Sequence, residues 1–167
     1  MILFREFFVF FLFELLAVSY LDIRERKIKN FWSVFHLILF VAFLFLYPES
    51  FQLSIDFLTY PIVALVVGFV LFALKIAGGG DAKFVATFFL LVPIHLRQDF
   101  LDYLLYSTLF VASITLLYNL IRNRSVFFTG IKLWDLRLIK SCFGSRFAFA
   151  PVILLAWFIL LWKIKIF

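Results

Sequence analysis

Two aspartates in this chain stand where a long apolar segment meets a polar one. Asp22 follows the apolar run that starts near the N-terminus, and Asp81 follows three consecutive glycines, residues 78–80. Two carboxyl groups brought within a few ångströms cannot both ionise cheaply, so such a pair holds one proton. The ionised member can take a proton from water while the protonated member donates to a carbonyl oxygen. If the fold brings the two together, they could hydrolyse an amide bond without a metal or a nucleophilic side chain.

The glycine run before Asp81 has more than one explanation. Because glycine has no Cβ, the run could swing Asp81 toward Asp22 or leave room for an extended substrate backbone. It could equally be a plain turn in which Asp81 is the N-cap of the following helix. A phosphate-binding loop is disfavoured, since the Walker spacing and a preceding strand are missing. The pattern alone leaves the first two explanations open.

The composition predicts the kind of protein that positions these residues. The chain has 167 residues, of which 66% are apolar and 16% charged, whereas soluble domains are about half apolar and a quarter charged. We therefore expect an all-α integral membrane protein with a single polytopic domain, residues 1–167. Cys142 is the only cysteine, and His36 and His95 are far apart, so we predict no disulfide, no metal and no cofactor.

About six segments are apolar enough to be membrane-spanning helices. They cover residues 2–21, 31–47, 58–76, 84–96, 103–121 and 147–162. A signal peptide at residues 7–18 is disfavoured, because Glu14 interrupts the apolar run and Arg5 is the only basic residue before it.

The basic residues predict an N-terminus outside the cell, because cytoplasmic loops are enriched in lysine and arginine. With that orientation, 12 of the 16 basic residues are cytoplasmic: Arg24, Arg26, Lys27, Lys29, Lys75, Lys83, Arg122, Arg124, Lys132, Arg137, Lys140 and Arg146. Asp22 and Asp81 then lie at the same cytoplasmic membrane face. The net charge of +6 needs no nucleic acid as partner. The basic loop 122–146 could lie along the membrane and attract anionic lipids, and we assign it no secondary structure.

Glu14 is an acid within the first predicted span. Carboxylates inside a membrane are costly and are usually paired. His36 lies at a similar predicted depth in the second span. We expect a polar pair that is mainly structural, with a role in tuning the aspartate site as the alternative.

Three motifs together resemble the type IV prepilin peptidase family. Residues 78–84 read GGGDAKF, which is similar to the family's G-x-G-D-x-K motif. Residues 21–30 read LDIRERKIKN, and in the family an aspartate ends a span before a basic stretch that finishes in Ile-Pro-Asn. Residues 147–156 read FAFAPVILLA and resemble the Pro-Phe-Gly/Ala-Pro segment that opens the last span. Lys29 and Ala148 replace prolines of these motifs, which puts the local backbone geometry in question more than the carboxylates.

The resemblance implies a membrane aspartic endopeptidase. Such enzymes remove a short basic leader from type IV prepilin-like or archaellin-like precursors at the cytoplasmic edge of the membrane. Asp22 and Asp81 match the catalytic aspartates, Gly78 and Gly80 the motif glycines, and Lys83 the lysine that follows. Only about nine residues separate the first two spans, so the chain resembles the short, peptidase-only members, without the cysteine-bearing insert that accompanies N-methylation.

Two other classes of protein remain as alternatives. Proteases of the presenilin type share G-x-G-D, but they have tyrosine directly before the first aspartate, where this chain has Leu21. A non-enzymatic membrane transport or assembly subunit could use the same helices. Such a subunit would not depend on Asp22 and Asp81. The oligomeric state and the identity of the precursor cannot be read from the sequence.

Overall fold

A computed structural model of the chain describes residues 2–49, 51, 53–74, 77–137, 141 and 148–165. Within these ranges the regular elements are all helical, which confirms the predicted all-α class. The elements are α1 (Ile2–Glu25), α2 (Asn30–Leu46), α3 (Ile55–Ala73), α4 (Gly79–Leu91), a 3₁₀ turn (Ile94–Leu96), α5 (Arg97–Arg122), α6 (Arg124–Lys132) and α7 (Ala150–Lys163). All but α6 and the turn correspond to the six predicted apolar segments.

The core of the bundle is built from aromatic side chains of four helices. Trp157 of α7 is fully buried and contacts the rings of Phe11, Phe88 and Phe100, from α1, α4 and α5. Its indole N–H donates to the carbonyl of Phe8 at 3.2 Å. A buried indole needs such an acceptor, and this one joins α7 directly to α1.

Helix α7 runs antiparallel to α1 and to α5. Asp22, near the end of α1, contacts Ala150 at the start of α7, while Lys163 at the end of α7 pairs with Asp99 at the start of α5, at 2.8 Å. The bundle therefore has two ends. The end that contains Asp22 is called the aspartate end below, and the end that contains Asp99 is called the far end.

Arg97 organises the far end of the bundle. Pro61 lies inside α3 and has no N–H, so the carbonyl of Phe57, four residues earlier, lacks its helical donor. The buried Arg97 guanidinium donates to that carbonyl, and its Nε donates to the carbonyl of Val92 at 2.8 Å. Arg97 thus joins α3 to the end of α4.

The ends of α4 and the start of α5 differ from the prediction. Helix α4 begins at Gly79 and ends at Leu91, not at residues 84 and 96, because Val92 is held extended by the following Pro93. Helix α5 begins at Arg97, six residues before the predicted span. The predicted loop 122–146 contains α6, a nine-residue helix. Lys75, Lys140, Cys142, Arg146 and Phe147, which figured in the predictions, lie outside the described residues.

Among the described residues, two helical segments are long and apolar enough to cross a membrane. They are Ile55–Ala73 and Ile94–Arg122. Asn30–Leu46 and Ala150–Lys163 are apolar but shorter. Large apolar side chains are exposed along α2, α3 and α5, including Phe45, Ile55, Phe69, Leu109 and Ile121. An outward-facing apolar surface of this kind suits contact with lipid.

Candidate functional site

Asp22 is buried against the N-terminus of α7. Asp22 is only 2% exposed. Its Oδ2 accepts the backbone N–H of Ala150 at 2.9 Å. The first N–H groups of a helix have no acceptor within the helix and carry partial positive charge. The start of α7 therefore supplies a hydrogen-bond donor to the Asp22 carboxyl. This donor belongs to the motif segment 147–156.

The chain reverses direction directly after Asp22. The N–H of Arg26 donates to the Asp22 carbonyl at 2.7 Å, and Arg26 has a positive φ of 51°. A left-handed residue at this position ends a helix by turning the backbone away from the axis. The turn directs Ile28 into the core, where it is 3% exposed.

Asp81 lies in the first turn of α4. Gly78 is the N-cap, and the Asp81 Oδ2 accepts the Gly78 N–H at 2.9 Å. Asp81 is therefore the third helical residue and not the N-cap that the plain-turn interpretation suggested. An acid in the first turn is stabilised by the partial positive charge of the helix N-terminus.

Gly80 is the point where the two aspartate segments touch. A Cβ built on Gly80 would overlap the carbonyl oxygen of Ile28, so only glycine lets the α1–α2 loop approach α4 this closely. This close approach between two segments of the chain itself is the use of Gly80 that the structure shows, and the two predicted uses, a swing of Asp81 toward Asp22 and room for a substrate backbone, stay predictions. No φ in the left-handed range occurs at the four glycines whose surroundings are described, Gly68, Gly78, Gly79 and Gly80.

Asp81 also lines a cavity of about 300 Å³ between α3, α4 and α5. The other lining residues are largely apolar, and they include Phe149. Phe149 directly precedes Ala150, whose N–H binds Asp22. Both aspartates therefore lie at the same end of the bundle. Asp22 contacts the start of α7, and Asp81 lines the adjacent cavity.

Lys83 is not on the same side of α4 as this cavity. Residues two apart on a helix point in nearly opposite directions, and Lys83 is exposed along the grooves beside α3. Its proximity in sequence to Asp81 therefore does not bring its ammonium group into the Asp81 cavity. Gly78 and Gly80, in contrast, both contribute directly to the geometry around Asp81.

A cluster of polar side chains is buried between α2 and the two helices that carry the aspartates, α1 and α4. His36 Nε2 lies 2.7 Å from Glu14 Oε1, which confirms the predicted pair, and His36 Nδ1 lies 3.1 Å from Thr87 Oγ1. The sequence did not single out Thr87, because a threonine in a helix normally satisfies its hydroxyl on its own backbone. The Ala150 N–H and the Ile28 carbonyl were also missed, since backbone groups carry no residue-type signal.

The comparisons with known proteins agree with the geometry. The model of the type IV leader peptidase family matches residues 9–122, which is more than half of the chain and contains Asp22 and Asp81. The chain therefore belongs to the type IV leader peptidase family, a family of membrane-associated peptidases. The match ends before α7, so the motif at residues 147–156 stays a prediction. Comparison with curated proteins and with solved structures found no match.

Proposed function

We propose that this chain is an aspartic endopeptidase that removes the short basic leader from type IV prepilin-like or archaellin-like precursors. The observation that carries the proposal is the contact between Gly80 and the Ile28 carbonyl. It draws the segments that follow Asp22 and precede Asp81 together in a chain that belongs to a leader peptidase family.

In this mechanism Asp22 and Asp81 share one proton. The ionised carboxylate accepts a proton from a water molecule, and the resulting hydroxide attacks the carbonyl carbon of the scissile bond. The protonated carboxyl donates to the carbonyl oxygen as the tetrahedral intermediate forms. Gly78 keeps the Asp81 carboxyl in place through its N–H, and the start of α7 does the same for Asp22.

We further propose that helices α1–α5 and α7 cross the cell membrane, with the N-terminus outside and the aspartate end at the cytoplasmic face. The proposal is supported by the excess of basic residues in the segments at that end and by the exposed apolar side chains of α2, α3 and α5. An anionic cytoplasmic leaflet attracts the same basic segments. A precursor with a basic leader would meet the site where its apolar helix leaves the membrane.

The test is cleavage of a precursor on co-expression with this chain. We expect a prepilin-like protein to become shorter on a gel with the wild-type chain, and to stay uncut with Asp22→Ala or Asp81→Ala. General acid–base groups contribute roughly 10²–10⁴-fold to a rate, so loss of either should abolish the visible product. The matched control is Asp135→Ala, since within the described part of the chain that carboxylate accepts the N–H of Arg137 in a local turn.

The control variant should cleave like the wild type. Processing that survives both Asp22→Ala and Asp81→Ala would exclude the dyad. Absence of any processing by a well-expressed wild-type chain, with several precursors, would favour the alternative of a non-enzymatic transport or assembly subunit.

A further inference from the structure

Glu14, His36 and Thr87 join three helices through buried polar contacts. Glu14 is on α1 and 6% exposed, and His36 is on α2 and fully buried. Thr87 belongs to α4 and donates its hydroxyl proton to the carbonyls of Lys83 and Phe84, at 2.9 and 3.0 Å. Below, these three side chains are called the Glu14–His36–Thr87 relay.

The three side chains form a continuous chain of hydrogen bonds. The Thr87 hydroxyl is within hydrogen-bond distance of two carbonyls of the α4 backbone, and its oxygen can also accept an N–H from His36 Nδ1, 3.1 Å away. On the other side of the ring, Nε2 lies 2.7 Å from Glu14 Oε1. The relay therefore links α1 through α2 to the backbone of α4.

The relay spans the two helices that carry the aspartates. Glu14 precedes Asp22 by two helical turns, about 12 Å along α1, and Thr87 follows Asp81 by about 9 Å along α4. Glu14 Oε2 is buried and has no hydrogen-bond partner among the described residues. Burying a carboxyl oxygen without a partner costs free energy, and an apolar side chain of similar size would avoid that cost. Stability alone therefore does not explain an acid at this position.

We propose that the relay is a positioning device that fixes the position of α1 along its axis relative to α4. It thereby fixes how closely Asp22 approaches Asp81. This inference rests on the proposed peptidase function. Glu14, His36 and Thr87 are positioning residues, because none of them lines the cavity that Asp81 faces. A shift of one helix by about 1 Å is enough to reduce a rate by about 10²-fold.

The experiment compares variants that delete the relay with variants that preserve it. Thr87→Val keeps the side-chain shape but removes the hydroxyl, and Glu14→Leu removes the carboxyl group that forms a hydrogen bond with His36. Thr87→Ser and Glu14→Gln keep a hydrogen-bonding group at each end. The matched control is Phe40→Leu, on the same helix as His36, which weakens a buried stack with Phe57 without touching the relay.

We expect Thr87→Val and Glu14→Leu to lower kcat for leader cleavage by at least about tenfold while KM changes by less than about twofold. Thr87→Ser and Glu14→Gln should stay within about threefold of the wild type, and Phe40→Leu should lower the melting temperature at nearly unchanged kcat. Deletion variants that behave like Phe40→Leu would overturn the proposal. So would conservative variants as damaged as the deletions.

Hydrogen exchange separates failure of the relay from failure of the peptidase assignment. If the wild type cleaves no precursor, the proposed function fails, and exchange of the α4 amides still tests the relay. Faster exchange at residues 79–87 in Thr87→Val than in Phe40→Leu, at equal melting temperature, would support positioning of α4. Equal exchange in the two variants would contradict it.

Discussion

At the scale of single residues, the two aspartates are placed by backbone groups. Each carboxyl accepts a backbone N–H at 2.9 Å, Asp22 from Ala150 and Asp81 from Gly78. Backbone donors at helix starts are rigid, so they orient a carboxyl without adding another titratable group. The local geometry therefore depends on where α4 and α7 begin and on the glycine that lets the two segments meet.

The central glycine should be intolerant of any side chain. We expect Gly80→Ala to reduce leader cleavage by more than about tenfold, because its methyl group would overlap the Ile28 carbonyl and move Asp81 away from Asp22. The adjacent Gly79→Ala is the control, since its Cβ would meet the Phe72 ring at an ordinary 3.5 Å. Rates are measured with purified protein and a synthetic precursor. Equal activity of the two variants would contradict this use of Gly80.

At the scale of helices, Pro61 and Arg97 compensate each other at the far end. Pro61 removes the helical donor for the Phe57 carbonyl, and Arg97 replaces it from α5 while its guanidinium also lies 3.6 Å from the centre of the Phe57 ring. The sequence did not single out Arg97, which is one of the four basic residues outside the predicted cytoplasmic segments. Its guanidinium is buried where it donates to the Phe57 carbonyl, which Pro61 leaves without a helical donor, and to the Val92 carbonyl just after α4.

This compensation predicts coupling between the two positions. Arg97→Met should lower the free energy of unfolding by about 3 kcal/mol, because two carbonyls lose their donors in a buried place. Adding Pro61→Ala supplies an N–H for the Phe57 carbonyl and should recover about 1 kcal/mol of that loss. Unfolding by SDS in detergent micelles measures both variants and each single change. Strictly additive effects would show that Arg97 acts independently of Pro61.

At the scale of the whole molecule, the aspartate end should face the cytoplasm. Leu53 lies in the far-end loop and Trp134 follows α6, and both are well exposed. With Cys142 replaced by serine, we expect Leu53→Cys to react with a membrane-impermeant maleimide in spheroplasts. Trp134→Cys should react only after permeabilisation, because positive loops stay inside. The reverse labelling pattern would contradict the proposed orientation.

Much of this architecture follows from the sequence because long apolar runs and isolated acids are strong signals. The six predicted apolar segments correspond to α1–α5 and α7, and the cost of an acid in an apolar segment predicted the Glu14–His36 pair. Helix ends were less predictable: α4 starts within the glycines because Asp81 accepts the Gly78 N–H. Contacts made by backbone atoms, such as Ala150 to Asp22, arise only from tertiary packing and have no sequence pattern.

The most direct test of the whole account is a double-mutant cycle on the two aspartates. Wild type, Asp22→Asn, Asp81→Asn and the double variant are compared by kcat/KM on one purified precursor. Each single change should lower kcat/KM by at least about 100-fold. The double variant should have a kcat/KM no lower than that of the less active single variant, because groups that act as one unit are lost together. Losses that multiply in the double variant, or a single variant that keeps near wild-type activity, would contradict a shared-proton pair.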